Sequence, residues 1–208
     1  MKTLHTVFAV SAASALLMAG SAAFATATVG QPAPAFTATD ASGKPVSLSD
    51  YKGKTVVLEW VNPGCPFVQK HYNSANMQGT QKDAAAKGVV WLAINSTATD
   101  ASDYKKPADM AQWMTAQKAA ATATVMDADG KVGRAYGART TPHLYIVDPA
   151  GKLVYAGGID SKATANVADI SSATNYVKTA LAETAAGQPI SNPTTRPYGC
   201  SIKYSSGA

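Results

Sequence analysis

Apolar residues fall along the chain in short, nearly continuous runs, separated by polar stretches and by segments with helical spacing. Thr55 to Val61 (TVVLEWV), Val89 to Ile94 (VVWLAI) and Ala123 to Asp127 are too short for buried helices and rich in β-branched and aromatic residues. They predict inner strands of a sheet covered on both faces. Phe36 to Thr39 and Pro45 to Leu48 predict an N-terminal hairpin around the turn Asp40 to Lys44, and His143 to Val147 with Leu153 to Ala156 predict a second around Asp148-Pro149-Ala150-Gly151. Between them, a helix starts at Pro66, weakens around Asn73 to Gly79, resumes to Lys87 and stops at Gly88. Further helices run from Pro107 through Trp113 to about Ala120, from the Asp129-Gly130 turn to near Gly137, and from Ser172 to Ala186. This order predicts an α/β fold: a mixed central sheet with helices on both faces and a β-hairpin at the start. Residues 188–208 show neither period, and Pro189, Pro193 and Pro197 stiffen them into an extended tail.

The first 25 residues differ in kind. Lys2, an apolar run from Val7 to Gly20 and Ala23-Phe24-Ala25 form the basic, apolar and small-x-small parts of a signal peptide. Cleavage is expected after Ala25, with Ala27 an equally well-formed second site. The apolar run falls short of the roughly 20 residues a membrane span needs. The exported chain, residues 26–208, is then expected in a periplasmic or secreted setting, as one domain over 26–187 plus the tail, with no membrane partner after cleavage.

Composition narrows the function classes. A length of 208 residues fits one well-cored domain. The net charge of +5 comes from scattered Lys and Arg, which argues against nucleic-acid binding. Two cysteines, Cys65 and Cys200, are too few for a disulfide scaffold or a structural zinc site, and an oxidising compartment permits a bridge between them.

Cys65 lies in Asn62-Pro63-Gly64-Cys65-Pro66, where a buried strand gives way to a helix with Pro66 at its first position. Free backbone N–H groups and the helix dipole there favour a thiolate. The bland reading is an inert buried thiol. Glu59 sits inside the apolar run VVLEWV, where an ionised carboxylate is costly unless partnered. It is either a proton carrier for the sulfur or an edge-strand or ion-paired structural residue. Thr141-Pro142 enters a strand, a position that suits a cis-proline approaching a neighbouring site. Lys70 reads as part of a solvated helix face, and Trp60, Trp91 and Trp113 as core.

These residues carry a resemblance. The hairpin PAPAFTATDASGKPVSLSDYKGKTVVLEW, the Cys65 turn and Thr141-Pro142 before LYIVD resemble the redoxin (AhpC/TSA) branch of the thioredoxin superfamily. Glu59 stands where thioredoxins keep a buried acid. The resemblance implies a thioredoxin-like fold and thiol chemistry without a cofactor or resident metal. It also implies a disulfide or hydroperoxide substrate and a thiol-reducing partner protein that returns the electrons. The sequence departs from the family at the second cysteine: Cys65-Pro66-Phe67-Val68 has Val68 where thioredoxins place it. Pro63 and Asn62 do not reproduce the peroxiredoxin spacing either. The chain is most similar to a peroxiredoxin-like subgroup that keeps only the first thioredoxin cysteine and ends in Arg-Pro-Tyr-Gly-Cys, here Arg196 to Cys200. This suggests Cys65 as nucleophile and Cys200 as resolving thiol on a tail that folds back; the alternatives are a permanent structural bridge between them and a Cys200 that never reaches Cys65. Pro63, Gly64, Pro66, Thr141, Pro142 and Arg196 would face the substrate, with Arg196 holding the thiolate. The alternative class is a redox-fold binding module or a copper-delivery protein using Cys65, His71 and His143.

Overall fold

The computed structural model describes residues 26–206; the expected signal peptide, residues 1–25, lies outside the described residues. The strands are β1 (Thr37–Asp40), β2 (Pro45–Ser47), β3 (Val56–Trp60), β4 (Val90–Asn95), β5 (Ala123–Met126), β6 (Thr140–Thr141), β7 (His143–Val147), β8 (Leu153–Gly157) and β9 (Cys200–Ser201). The α-helices are α1 (Pro66–Asn73), α2 (Asn76–Ala85), α3 (Pro107–Ala116), α4 (Lys131–Tyr136) and α5 (Tyr176–Ala185). Seven strands form one sheet in the order β2-β1-β5-β4-β3-β7-β8. β3, β4 and β5 are parallel, whereas β7 and the first hairpin join antiparallel, so the sheet is mixed as expected.

The continuous apolar runs are explained by two-sided burial. Successive side chains of a strand point to opposite faces, and here both faces are core. Val57, Trp91, Ala93, Leu144 and Ile146 pack with Val68 and Tyr72 of α1, Met77 of α2, Met110 of α3 and Val177 of α5. Val56, Leu58, Trp60, Leu92 and Ile94 face the other way, onto Val132 and Tyr136 of α4 and Val46 of the first hairpin. Each fully buried aliphatic side chain contributes roughly 1.5–3 kcal/mol, so β3 and β4 fix the sheet's centre.

Two expectations change. The weakness at Asn73 to Gly79 is a break: Ala75 adopts a left-handed backbone (φ 59) and caps α2. The last helix begins at Tyr176, not Ser172, because the Asn175 side chain accepts from Lys178 N and fixes the start; a 3₁₀ turn occupies Val167–Ser172. The tail is held by backbone pairing. Pro193 O accepts from Ala156 N and Thr195 N donates to Ala156 O, which lays the chain along β8. It then crosses to pair with β6, Thr141 opposite Cys200 and Thr140 opposite Ser201. Backbone pairing across long sequence separations leaves no local period to read.

Candidate active site

The turn after β3 is built by Asn62. Its side-chain oxygen accepts from Gly64 N at 2.8 Å and its carbonyl accepts from Cys65 N at 3.0 Å. Its amide nitrogen donates to Thr97 and Asp103. Cys65 is thereby set as the N-cap of α1, with extended backbone and Pro66 at the helix start. At that point unpaired backbone N–H groups and the helix dipole stabilise negative charge. The residue is 2% exposed, and its thiol donates to the Thr141 carbonyl at 2.9 Å. The Thr141-Pro142 peptide is cis.

The same Thr141 pairs through its backbone with Cys200, so one residue adjoins both cysteines. Both thiols are free and Cys200 is half-buried. Burial and a hydrogen bond to Cys65 push the Cys200 thiol up to about 12, with Lys203 working against that rise. Gly199 makes the approach possible: its φ is +135, and a Cβ there would collide with the Thr141 carbonyl. Beyond Cys200 the chain is held by Ile202 N on Arg139 O, Ala98 N on Lys203 O, and an Lys203–Asp103 ion pair at 2.9 Å.

Glu59 is fully buried under α1 and α2. Trp91 Nε1 donates to it at 2.7 Å, Tyr72 OH at 2.9 Å and Gln81 Nε2 at 3.1 Å. None of these bonds goes to Cys65. Burial raises its carboxyl from 4.5 to about 7, the three donors opposing that rise. The edge-strand alternative for Glu59 is removed, because β3 is flanked by β4 and β7.

The remaining sequence-predicted residues divide. Pro63 and Gly64 line a cavity of about 560 Å³ with Gln69, Lys105 and Trp113. Arg196 is exposed in a different cavity, also about 560 Å³, with Phe67, Thr140, Asp160 and Tyr198. At Cys200 the charge of Lys203 lowers the thiol and that of Asp103 raises it.

Lys70 corrects the sequence reading. Instead of a solvated face it has a fully buried side chain, its Nζ 3.6 Å from Asp160 Oδ2 and donating to Lys162 O at 2.9 Å. Beside it, Tyr198 OH donates to Asp160 Oδ1 at 2.6 Å and lies 3.1 Å from His71 Nε2. With the tyrosine proton committed to Asp160, its oxygen accepts from His71 Nε2–H, and His71 Nδ1 accepts from Asn76 Nδ2 at 2.8 Å. Both ring nitrogens are therefore occupied. His71 is driven down to about 4 and His143 to about 3, in both mainly by burial. Among the described residues no three His, Cys, Asp or Glu side chains converge to hold a metal ion. Asp160 was missed in the sequence because it is a single acid after Gly157-Gly158-Ile159. The available signal was Tyr198 itself, an aromatic hydroxyl beside Gly199-Cys200 that needs a polar partner once buried.

A thioredoxin-like sheet with a cysteine at the N-terminus of α1, facing a cis-proline turn, defines a thiol-redox fold. The chain belongs to the AhpC/TSA family, whose sequence model matches residues 29–156. It is 27% identical over 129 residues to the thiol-disulfide oxidoreductase ResA of Bacillus thuringiensis subsp. konkukian, spanning 61% of this chain and 67% of that protein. Among solved structures, an uncharacterized conserved protein from Geobacillus kaustophilus matches with TM-score 0.74 at 27% identity, over 87% of this chain and 94% of that one. A putative thiol:disulfide interchange protein DsbE from Chlorobium tepidum matches with TM-score 0.51 at 25% identity, over 63% and 85%. Among the described residues no helix is long and apolar enough to cross a membrane.

Proposed function

We propose that the chain is an exported, peroxiredoxin-like thiol-disulfide oxidoreductase in which Cys65 is the nucleophile and Cys200 the resolving thiol. The observation that carries this is Thr141, whose carbonyl takes the Cys65 thiol while its backbone pairs with Cys200. The Cys65 thiolate attacks a substrate disulfide, forming a mixed disulfide and releasing one substrate thiolate. Cys200, losing its proton, then attacks the Cys65 sulfur, releases the second substrate thiol and closes a Cys65–Cys200 disulfide. The substrate gains two electrons, and a partner dithiol returns them to the protein. In this reading Glu59, titrating near 7, serves as proton carrier, and Pro63, Gly64, Pro66, Thr141, Pro142 and Arg196 border the substrate. The family and the oxidoreductase relatives support the thiol-dependent role.

A second reading is favoured by the near-complete burial of Cys65, since a small oxidant reaches a covered sulfur more readily than a protein does. There a hydroperoxide gives one oxygen to Cys65, leaving as the alcohol. Cys200 then displaces water from the sulfenic acid to give the same disulfide. Steady-state turnover of a disulfide-bonded peptide and of an alkyl hydroperoxide, each with excess dithiol, separates the two. The disulfide is expected to be preferred roughly tenfold or more in kcat/KM. The reverse ratio selects the peroxidase reading, and turnover of neither selects a binding module.

A further inference from the structure

A buried polar cluster joins the tail to the nucleophile's own helix. Phe67, Lys70 and His71 all lie on α1, which Cys65 caps, and all three meet Tyr198 of the tail. Phe67 packs edge-on at 5.9 Å between ring centroids, Lys70 Nζ stands 5.6 Å from the ring centre, and His71 shares the hydroxyl. Asp160 completes the cluster by accepting a hydrogen bond from the Tyr198 hydroxyl. Burying Lys70 and Asp160 is expensive and adds little net stability over apolar residues of the same shape. What the cluster does supply is a directional catch.

Its location gives that catch a use. Only Gly199 separates Tyr198 from Cys200, and Gly199 is pressed against Thr141, so the segment has no slack between catch and sulfur. We propose that Tyr198 is the positioning residue of the thiol pair: tied to Asp160 and His71, it seats Cys200 against Cys65 and sets how often Cys65 is uncovered. The inference rests on the reading above that Cys200 acts on Cys65. Lys70 supports it by neutralising Asp160, and the anchors after Cys200 hold the other side of the same strand.

Alkylation of Cys65 in the reduced protein reports the uncovered fraction, because a reagent reacts with a buried sulfur only from the open state. The rate of iodoacetamide labelling at Cys65, mapped by mass spectrometry, is compared in wild type, Tyr198→Phe and Val125→Ala. Val125 is buried on the opposite face of the sheet, and its truncation lowers global stability without touching the tail. Losing the hydroxyl's hydrogen bonds to Asp160 and His71 is expected to raise the Y198F rate at least about tenfold. V125A should stay within about twofold of wild type despite a lower urea midpoint. Gly199→Ala, which blocks the approach to Thr141, is expected to accelerate labelling at least as much as Y198F and serves if Y198F folds poorly.

An unchanged rate in Y198F and G199A, or an equal acceleration in V125A, overturns the proposal. A wild-type protein that never closes a Cys65–Cys200 bridge on oxidation instead overturns the functional reading beneath it. A bridge that forms in wild type while Y198F labels at the wild-type rate removes only the role of Tyr198.

Discussion

Replacing Cys65 by serine is expected to lower thiol-dependent turnover at least a thousandfold, on the order expected for removing a nucleophile. The size of the loss follows from the other sulfur. With its thiol pushed well above the ordinary range, mainly by burial, Cys200 is almost wholly protonated at pH 7. Burial is the first cause of that rise and survives the substitution, although the part due to Cys65 does not. Cys200 is also not at a helix N-terminus; it lies in a two-residue strand. It can attack a sulfur already presented to it, but it is poorly suited to starting the reaction. Steady-state assays of C65S with both the disulfide and the hydroperoxide check this. Residual activity above a few per cent would place the nucleophile elsewhere.

A large effect on stability is expected from Glu59. Its carboxyl titrates near 7 in the fold and near 4.5 when unfolded. Between those values the native state holds a proton that the unfolded chain has lost. The stabilisation from this difference is therefore complete below about 4.5 and disappears as pH rises through 7. A shift of that size corresponds to about 3 kcal/mol. His71 and His143 act in the opposite sense: their lowered values mean that stability is lost as pH falls below 6.5 toward 4 and 3. The two slopes are separated by comparing wild type with Glu59→Gln, which keeps both histidines. Gln weakens the site at every pH, because its amide hydrogens face the Trp91 and Gln81 donors, but it does not titrate. Urea unfolding from pH 4.5 to 8 should show the wild-type advantage shrinking by about 3 kcal/mol. Parallel curves would mean that Glu59 does not change protonation on folding in this range.

The central strands were legible because two-sided burial writes continuous apolar runs, and Val56 to Trp60 and Val90 to Asn95 have no exposed residue. Cys65 and Thr141-Pro142 were legible because Pro and Gly mark where a backbone turns. The pairing of the tail was not, since its partners lie at Ala156 and Thr141, and a two-residue strand carries no period. Lys70 was misread for a related reason. In the run Gln69-Lys70-His71 nothing local distinguishes a cation in water from one facing Asp160 ninety residues on. Arg196 drew attention by its charge, while Lys203, which acts on Cys200, stands outside the Arg-Pro-Tyr-Gly-Cys motif. Glu59 was singled out correctly as anomalous in an apolar strand, but its three donors come from β4, α1 and α2 and only the fold assembles them.

That Cys65 and Cys200 form one redox couple is tested most directly by disulfide mapping. The reduced protein is treated with a stoichiometric oxidant, alkylated, digested and analysed by mass spectrometry, with and without subsequent exposure of the native protein to dithiothreitol. The expected result is a single linked peptide pair joining Cys65 to Cys200, formed in the monomer and reopened by the dithiol under native conditions. Two thiols that survive oxidation unlinked, or a bridge that the native protein refuses to release to the dithiol, would contradict it.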